Sequence, residues 1–320
     1  MSRKLPHEVG RSIFGADARG YARARLDYPP ELFALLRQRY GLRPGCRVLE
    51  IGAGTGIATR ELLRQGAESV LAVEADPRMA RWLRRSFAPP LGKVRVVISP
   101  FETAYLPAMQ FDLVVAATSF HWLDQRRGVR RVASALRPGH WFACWGNQHG
   151  DPTRPNAWFR ATHPIFKALP SSPASRRVGR HGHTRGHSGY LDLPKTLRTS
   201  GAFDLIDRKV IRWTVTLTAK QIVALYATFS DVRSLPPEVA DRFLRDILTL
   251  ARDRFHDRVV IRMRTPLVVA RRTSLGGRGP GPRAAQRSRS ATRRAPAPRA
   301  AARLGSGSHR SSADRLVRGR

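Results

Sequence analysis

The sequence predicts an α/β fold built on parallel strands, and two neighbouring stretches support this prediction. The first is the short apolar run Arg47–Ile51, which breaks into three alternate glycines and then into a segment with helical periodicity. The second is the apolar run Ser69–Val73, which ends in Glu74. Apolar runs of this length are typical of buried parallel strands. The order of strand, glycine turn, helix and strand therefore indicates a βαβ unit.

The glycine turn has the properties of a ligand-binding loop. Gly52, Gly54 and Gly56 permit positive φ angles and let a ligand approach bare backbone. The N–H groups at the start of the following helix point towards whatever is bound there. Glu74 stands twenty positions after Gly54, a spacing that places its carboxylate where it can accept both hydrogen bonds of a ribose diol. The pattern differs from the dinucleotide fingerprint G-x-G-x-x-G, since the third glycine is Gly56 and Ile57 stands where that fingerprint has a glycine.

Further strand and helix patterns follow along the chain. The other predicted strands are Val94–Ile98, Asp112–Ala117, His140–Trp145, Val210–Leu217 and Val259–Val269. The predicted helices are Ile57–Gln65, one that starts at Asp76-Pro77, Arg127–Leu136, one from the capping box Thr218–Gln221 through Ala227, and one opened by Pro236-Pro237. Arg137–Gly139 is predicted to be the stop between a helix and the fifth strand. Strands that alternate with helices favour an α/β arrangement.

Two segments carry a resemblance to a known family. Residues 50–56 (Glu-Ile-Gly-Ala-Gly-Thr-Gly) and 73–76 (Val-Glu-Ala-Asp) resemble motif I and the acidic loop of class I S-adenosylmethionine-dependent methyltransferases. Residues 111–124 resemble the segment after strand four in the small-molecule branch often labelled type 11. The resemblance covers roughly residues 10 to 272. It implies a Rossmann-like seven-stranded fold, with a mostly parallel sheet, an antiparallel last strand and helices on both faces.

The resemblance also implies an activity and a cofactor. The expected reaction is methyl transfer from S-adenosylmethionine to a small molecule. In such enzymes Gly52, Gly54 and Gly56 would approach the methionine part of the cofactor, Glu50 would orient its ammonium group, and Glu74 would hold the ribose.

Four more residues are expected at the cofactor on the same grounds. Phe101 and Glu102 follow the third strand, where the family places the adenine, although Ser99 stands where the family usually has an acidic residue. Ala117 ends the fourth strand, and Tyr21 belongs to an N-terminal segment that covers the cofactor in the family. The alternative for Phe101 and Tyr21 is that these rings pack against the fold.

The predicted acceptor pocket lies beyond the fourth strand. Thr118, His121 and Trp122 fall at the carboxyl edge of the sheet, where open α/β sheets bind ligands. Tyr28, from the N-terminal segment, completes the predicted set. His121 is the candidate general base, which is needed only if the acceptor must lose a proton. The alternative is a structural histidine.

The expected domain organisation is one enzyme domain followed by a tail. The predicted parts are 1–40 as cofactor-covering helices, 41–150 as the cofactor-binding half, 151–200 as a mobile insertion, 201–272 as lid helices and last strands, and 273–320 as a disordered Arg-rich tail. Histidines in the insertion (His181, His183, His187) lack carboxylate or cysteine partners nearby. We therefore interpret them as part of a solvated basic loop, and no metal site is predicted.

Charge and composition leave two other function classes open. The formal net charge is +35, and twelve arginines with one acid, Asp314, give the tail +11 of it. Such charge allows an RNA-directed methyltransferase or non-specific nucleic-acid contact through the tail. The segment 117–121 lacks the Asn/Asp-Pro-Pro-Tyr/Phe motif of amino-methylating DNA enzymes. A non-catalytic cofactor-binding module is the second alternative. The polar N-terminus and the absence of a membrane-length apolar run predict a cytoplasmic protein.

Overall fold

The computed structural model describes residues 13–88, 93–151, 153–154, 156–169 and 189–274. The strands are β1 (Arg47–Ile51), β2 (Ser69–Glu74), β3 (Val94–Ile98), β4 (Phe111–Ala117), β5 (Leu136–Trp145), β6 (Gln148–His149), β7 (Phe203–Leu217) and β8 (Val259–Arg272). The helices are α1 (Ala18–Ala24), α2 (Pro30–Arg39), α3 (Ile57–Arg64), α4 (Pro77–Ser86), α5 (Gln125–Ala135), α6 (Ala157–Lys167), α7 (Gly189–Thr199), α8 (Ala219–Ala227), α9 (Ser230–Arg233) and α10 (Pro237–Asp253). Two 3₁₀ turns span Gly15–Asp17 and Phe120–Trp122.

One sheet contains all the strands of the described residues. Its order is β3-β2-β1-β4-β5-β8, and β7 pairs with β8 along the edge opposite β5. The pairs among β1 to β5 are parallel, whereas β8 runs antiparallel to β5, β6 and β7. The mostly parallel sheet with an antiparallel last strand is therefore confirmed. Seven strands were expected, and the eighth is the two-residue β6, which follows β5 along the same edge of β8.

Two predicted boundaries differ from the structure. The expected stop Arg137–Gly139 is the irregular beginning of β5, because Leu136 pairs with Phe111 while the next paired residue is Trp141. β7 begins at Phe203, seven residues before the predicted start at Val210. The early part of β7 is rich in charged residues, and an edge strand tolerates them because only one of its edges is paired.

Residues 151–200, expected to form a mobile insertion, contain two helices. α6 begins after Asn156, whose side-chain oxygen accepts a hydrogen bond from the backbone N–H of Trp158 at 2.9 Å. α7 packs on α5, β7 and β8. The predicted histidine loop and the predicted Arg-rich tail from Leu275 onwards lie outside the described residues. The mobility of the insertion stays a prediction.

Two apolar clusters cover the two faces of the sheet, and a third lies under the C-terminal helices. The third cluster packs α6, α8 and α10 against the ends of β7 and β8. At its centre the indole N–H of Trp158 donates to the hydroxyl of Tyr226 at 2.8 Å, and both rings are fully buried. This cluster holds α8 over the carboxyl end of the sheet. Among the described residues, none of the helices has the length and apolar character needed to span a bilayer.

Candidate active site

A cavity lies at the carboxyl ends of β1, β2 and β4, between the N-terminal segment and the turn from α8 to α9. It brings together most of the residues predicted from the sequence: Tyr21, Tyr28, Glu50, Gly52, Gly54, Glu74, Phe101, Ala117, Thr118, His121 and Trp122. Gly56 and Glu102 are not among its lining residues. The position agrees with the rule that open α/β sheets bind ligands beyond the carboxyl ends of their strands.

The first two glycines of the turn form one wall of the cavity. Gly52 and Gly54 have φ angles of 65° and 59°, which favour glycine. A Cβ at Gly52 would lie 2.6 Å from the Cβ of Ser119, so this glycine lets the segment after β4 approach the turn. A Cβ at Gly54 would meet no atom within 4 Å, because this residue faces open space in the cavity. Gly54 therefore offers bare backbone to a ligand.

Gly56 has a different surrounding. Its φ angle is 89°, and a Cβ there would lie 2.6 Å from both Leu83 and Phe87 of the neighbouring helix region. Gly56 thus allows the start of α3 to pack closely on α4 and on the residue that ends it. The structure gives this third glycine a packing role, and its approach to the methionine part of the cofactor stays a prediction.

Substitution of these two glycines should separate binding from stability. We expect Gly54→Ala to weaken the binding of S-adenosylhomocysteine at least tenfold, since the new methyl group would occupy the cavity wall. Both changes strain a backbone at positive φ, but Gly56→Ala should lower the free energy of unfolding by about 1–3 kcal/mol more, because its methyl group would also overpack against Leu83 and Phe87. Calorimetric binding and chemical denaturation measure the two effects. Equal losses of affinity in two equally stable variants would contradict the assignment.

Two buried carboxylates lie behind the glycine turn. Glu74 accepts hydrogen bonds from the backbone N–H groups of Gly54 and Asp76, both at 2.8 Å, and burial raises its pKa above the usual value. Glu50 is 1% exposed and accepts a hydrogen bond of 2.6 Å from the hydroxyl of Thr59. Burial, with a smaller contribution from the charge of Glu74, raises the pKa of Glu50 to about 8. A cationic group in the cavity would favour the ionised form of Glu50.

The raised pKa of Glu50 predicts a pH-dependent stability. The ordinary value is 4.5, so between pH 4.5 and about 8 the folded protein holds a proton that the unfolded chain releases. The free energy of unfolding of the wild type should therefore fall with rising pH in this window, relative to Glu50→Gln, and level off above it. In the absence of cofactor, we expect the free energies of unfolding of the wild type and Glu50→Gln to differ by about 1 kcal/mol or more at pH 8. Thermal unfolding of both proteins from pH 5 to 9 measures this difference.

Glu61→Gln is the matched control, because Glu61 lies on the nearby helix α3 and faces solvent more than Glu50 does. This variant is unfolded over the same pH range. A stability difference between the wild type and Glu50→Gln that does not change with pH would show that Glu50 does not titrate differently in the folded protein.

The other end of the cavity is formed by the segment after β4. Thr118 has a φ angle of 57°, an uncommon conformation for a residue with a branched side chain. Its hydroxyl lies 2.9 Å from the hydroxyl of Tyr28, and its N–H donates to the carbonyl of Trp145 at 2.7 Å. Burial raises the pKa of Tyr28 above its usual range. These bonds fix the N-terminal segment to the sheet edge at the point where the cavity opens.

Aromatic rings surround this end. His121 and Trp122 lie in the 3₁₀ turn after β4, with ring centroids 5.1 Å apart. Phe14 packs edge-on against Trp122 and Tyr21, at 6.1 Å and 5.6 Å. The predicted neighbours His121, Trp122 and Tyr21 therefore belong to one enclosed chamber.

The loop after β3 places its two predicted residues differently. Phe101 lines the cavity, and the guanidinium group of Arg131 lies 5.6 Å from its ring centroid. The carboxylate of Glu102 accepts a 3.4 Å hydrogen bond from the backbone N–H of Asp124, at the start of α5. Phe101 is 3% exposed and belongs to one of the apolar clusters, so its ring packs against the fold as well as bordering the cavity. Its contact with a bound base stays a prediction, and the Glu102 carboxylate bonds to the start of α5.

Several lining residues were not predicted from the sequence. Asn147, Gln148 and His149 follow β5, and the ring of His149 lies 4.8 Å from that of Phe229. The signal that could have identified them is the polar run at the carboxyl end of the fifth strand. Six others come from the N-terminal segment and from the α8–α9 region: Arg25, Leu26, Leu225, Phe229, Ser230 and Asp231.

The described residues contain no group of three or more His, Cys, Asp or Glu side chains suited to a metal ion. Cys46 and Cys144 are buried free thiols, and burial raises the pKa of both. The polar groups of the cavity instead fit a nucleoside with a cationic end. The carboxylate of Glu74 lies beside the exposed backbone of Gly54, and the buried carboxylate of Glu50 lies behind it.

Comparison with known proteins relates this chain to methyltransferases. Residues 48–139 match a family model described as a methyltransferase domain. An uncharacterized methyltransferase of Mycobacterium tuberculosis is 28% identical over 231 residues, which cover 72% of this chain and 82% of that protein. The methyltransferase tpcM of Aspergillus fumigatus is 32% identical over 149 residues, which cover 44% of this chain and 45% of that protein.

Solved structures share the fold. A Type II methyltransferase from Anaeromyxobacter dehalogenans superposes with a TM-score of 0.52 at 21% identity, covering 78% of this chain and 97% of that one. Phosphoethanolamine N-methyltransferase 2 of Haemonchus contortus, solved with S-adenosyl-L-methionine, superposes with a TM-score of 0.50 at 14% identity. The match covers 85% of this chain and 60% of that one. The chain therefore carries a methyltransferase domain over residues 48–139, and its fold and glycine turn resemble those of the class I S-adenosylmethionine-dependent methyltransferases.

Proposed function

We propose that this enzyme methylates a small-molecule acceptor that binds in the aromatic end of the cavity. The observation that carries the proposal is the continuity of one cavity, which extends from Gly54 and Glu74 to the chamber formed by Phe14, Trp122 and Phe229. The N-terminal segment and the α8–α9 region cover this chamber, which suits a compact acceptor more than a long polymer. Aromatic and apolar walls with few polar groups are typical of small-molecule sites.

The chain's own residues divide the work of binding and orientation. Glu74 would hold the ribose, Gly52 and Gly54 would border the methionine part, and the carboxylate of Glu50 would face its ammonium group. Phe101 would stack on the adenine. When bound, the cofactor supplies an electrophilic methyl group on a sulfonium. The protein then has to align the acceptor with that methyl and exclude water, which the aromatic cover does.

His121 is the proposed general base for an acceptor that must lose a proton. It lies in the turn after β4 and lines the cavity beside Trp122. Tyr28 and Thr118, joined by their hydroxyl groups, would border the same space. With an acceptor that carries a free lone pair, His121 would only shape the chamber.

Labelled cofactor tests the proposed acceptor class. The protein is incubated with methyl-labelled S-adenosylmethionine, at a concentration below the wild-type dissociation constant, and with cell extract separated into small-molecule, RNA and protein fractions. Gly54→Ala, which is expected to bind the cofactor at least tenfold more weakly, serves as the control. We expect label in the small-molecule fraction with the wild type and much less label with Gly54→Ala. Label that enters RNA, and that moderate salt abolishes, would replace the proposal with the RNA-directed alternative.

A further inference from the structure

Arg25 is the one arginine among the described residues that line the cavity, and no lysine lines it there. The residue directly follows α1, and its backbone N–H closes that helix on the carbonyl of Tyr21 at 3.0 Å. The guanidinium carbon lies 4.9 Å from the ring centroid of Tyr21 and 5.2 Å from that of Phe229. The two rings position the guanidinium group where the N-terminal segment packs against the α8–α9 region.

The hydrogen-bonding capacity of Arg25 is largely unused. One terminal nitrogen, Nη2, donates to the backbone carbonyl of Thr228 at 3.2 Å. The Nε atom is buried and has no hydrogen-bond partner in the described part of the chain. No described carboxylate forms an ion pair with this side chain. A partly buried cation without a counter-charge is costly, and its planar fork of N–H groups matches a carboxylate or a phosphate.

The carboxylates of the cavity wall are engaged elsewhere. Glu50 bonds to Thr59, and Glu74 bonds to the backbone of the glycine turn. The Asp231 carboxylate lies 3.4 Å from the hydroxyl of Ser230. Among the described residues, Arg25 therefore has no carboxylate ion pair, and an anionic ligand would provide a neutralising charge.

A second cation adds to the positive potential. Arg233 of α9 donates to the backbone carbonyls of Ile13, Phe14 and Ala227, and its charge interacts favourably with that of Asp17 and unfavourably with that of Arg25. Both arginines therefore lie where the N-terminal segment meets the α8–α9 region, and neither has a carboxylate ion pair within the described residues. Such a pair of cations would be stabilised by an anion in the adjoining chamber.

The contacts of Arg25 place it at the acceptor end of the cavity. All of them go to the N-terminal segment and to Thr228 and Phe229, and none goes to Glu50 or to the glycine turn. We propose that Arg25 binds an anionic group, a carboxylate or a phosphate, of the methyl acceptor, whose apolar part lies against the aromatic rings of the chamber. This inference rests on the proposed function, because it names the chemical class of the same acceptor.

Binding of simple aromatic anions tests the inference. Protein saturated with S-adenosylhomocysteine is titrated with benzoate, phenyl phosphate and, as the neutral control, benzyl alcohol. We expect the wild type to bind at least one anion, and Arg25→Gln to bind it at least tenfold more weakly while benzyl alcohol is unaffected. Arg23→Gln, which removes an exposed arginine of α1, should bind as the wild type does.

Two further measurements keep the test decisive if Arg25→Gln loosens the cover. Arg25→Lys retains the charge without the fork, so it should recover part of the anion affinity. Melting temperatures show that each variant is folded. Absence of anion binding by the wild type, or equal binding by folded Arg25→Gln, would overturn the proposal.

The cofactor has a carboxylate of its own, so its contribution is measured separately. S-adenosylhomocysteine and its decarboxylated analogue are titrated into the wild type and into Arg25→Gln. Equal losses, or none, are expected for the two compounds. A loss confined to the carboxylated compound would assign Arg25 to the methionine part and overturn the acceptor assignment. Failure of the wild type to bind S-adenosylhomocysteine at all would instead refute the proposed function.

Discussion

Glu74→Ala should weaken the binding of S-adenosylhomocysteine by about a hundredfold or more. The Glu74 carboxylate lines the cavity beside Gly54 and is 8% exposed. If it accepts both ribose hydroxyls, the substitution removes two hydrogen bonds to a charged group, each worth about 1.5–3 kcal/mol. Because 1.4 kcal/mol corresponds to a factor of ten in affinity, a loss of this size is easily measured by calorimetry.

The same carboxylate also supports the glycine turn, so the variant needs a measure of stability. It accepts the backbone N–H groups of Gly54 and Asp76, which Glu74→Ala would leave without this partner. Glu74→Gln keeps one acceptor oxygen and should retain more stability, with an intermediate affinity. Glu102→Ala is the matched control, since Glu102 is about equally buried and bonds to Asp124 away from the cavity. An unchanged dissociation constant in folded Glu74→Ala would refute the ribose assignment.

The first half of the cofactor region could be predicted because its signals are local in the chain. β1 begins and ends where the apolar run predicts, at Arg47 and Ile51, and β3 has its predicted bounds as well. The spacing between Gly54 and Glu74 predicted that they lie together, and the two residues share a hydrogen bond of 2.8 Å. A βαβ unit fixes these positions through its own short connections.

The sequence does not show what a glycine or a carboxylate faces. Gly56 fits the motif as well as Gly54 does, yet it contacts Leu83 and Phe87 on the neighbouring helix region. Glu102 follows the third strand as expected, but its carboxylate bonds to the start of α5. These directions depend on tertiary packing, which a motif does not contain.

The cover of the cavity was the least predictable part. Arg25 bonds to the carbonyl of Thr228, a residue 203 positions further along the chain. The capping box Thr218–Gln221 predicted α8, and residues 1–40 were predicted to form helices that cover the cofactor, but no pattern in either segment indicates that they meet. Such contacts arise because the third apolar cluster holds α8 over the sheet edge. The aromatic chamber is therefore a property of the fold, while the glycine turn is largely a property of its own sequence.

The second large effect is expected at His121, and it concerns rate. With an acceptor that must lose a proton, His121→Ala should lower kcat by about a hundredfold to ten-thousandfold, the usual contribution of general base catalysis. The affinity for S-adenosylhomocysteine should change little, because the predicted cofactor contacts lie at the glycine turn and Glu74. Since histidine titrates near neutral pH and a base must be neutral, the wild-type rate should fall at low pH. His121→Ala should not show this fall, which is the acidic limb of the pH profile.

His149→Ala is the matched comparison, because His149 also lines the cavity but lies on β6, against the ring of Phe229. This variant should keep the acidic limb of the pH profile even if it binds the acceptor less well. Melting temperatures separate loss of packing from loss of chemistry, since His121 also contacts the ring of Trp122. If His121→Ala melts at a lower temperature but keeps its rate per folded molecule, His121 is a packing residue. If instead His149→Ala abolishes the limb, the base lies on β6, and the acceptor must sit nearer to the α8–α9 region than the segment after β4 implies.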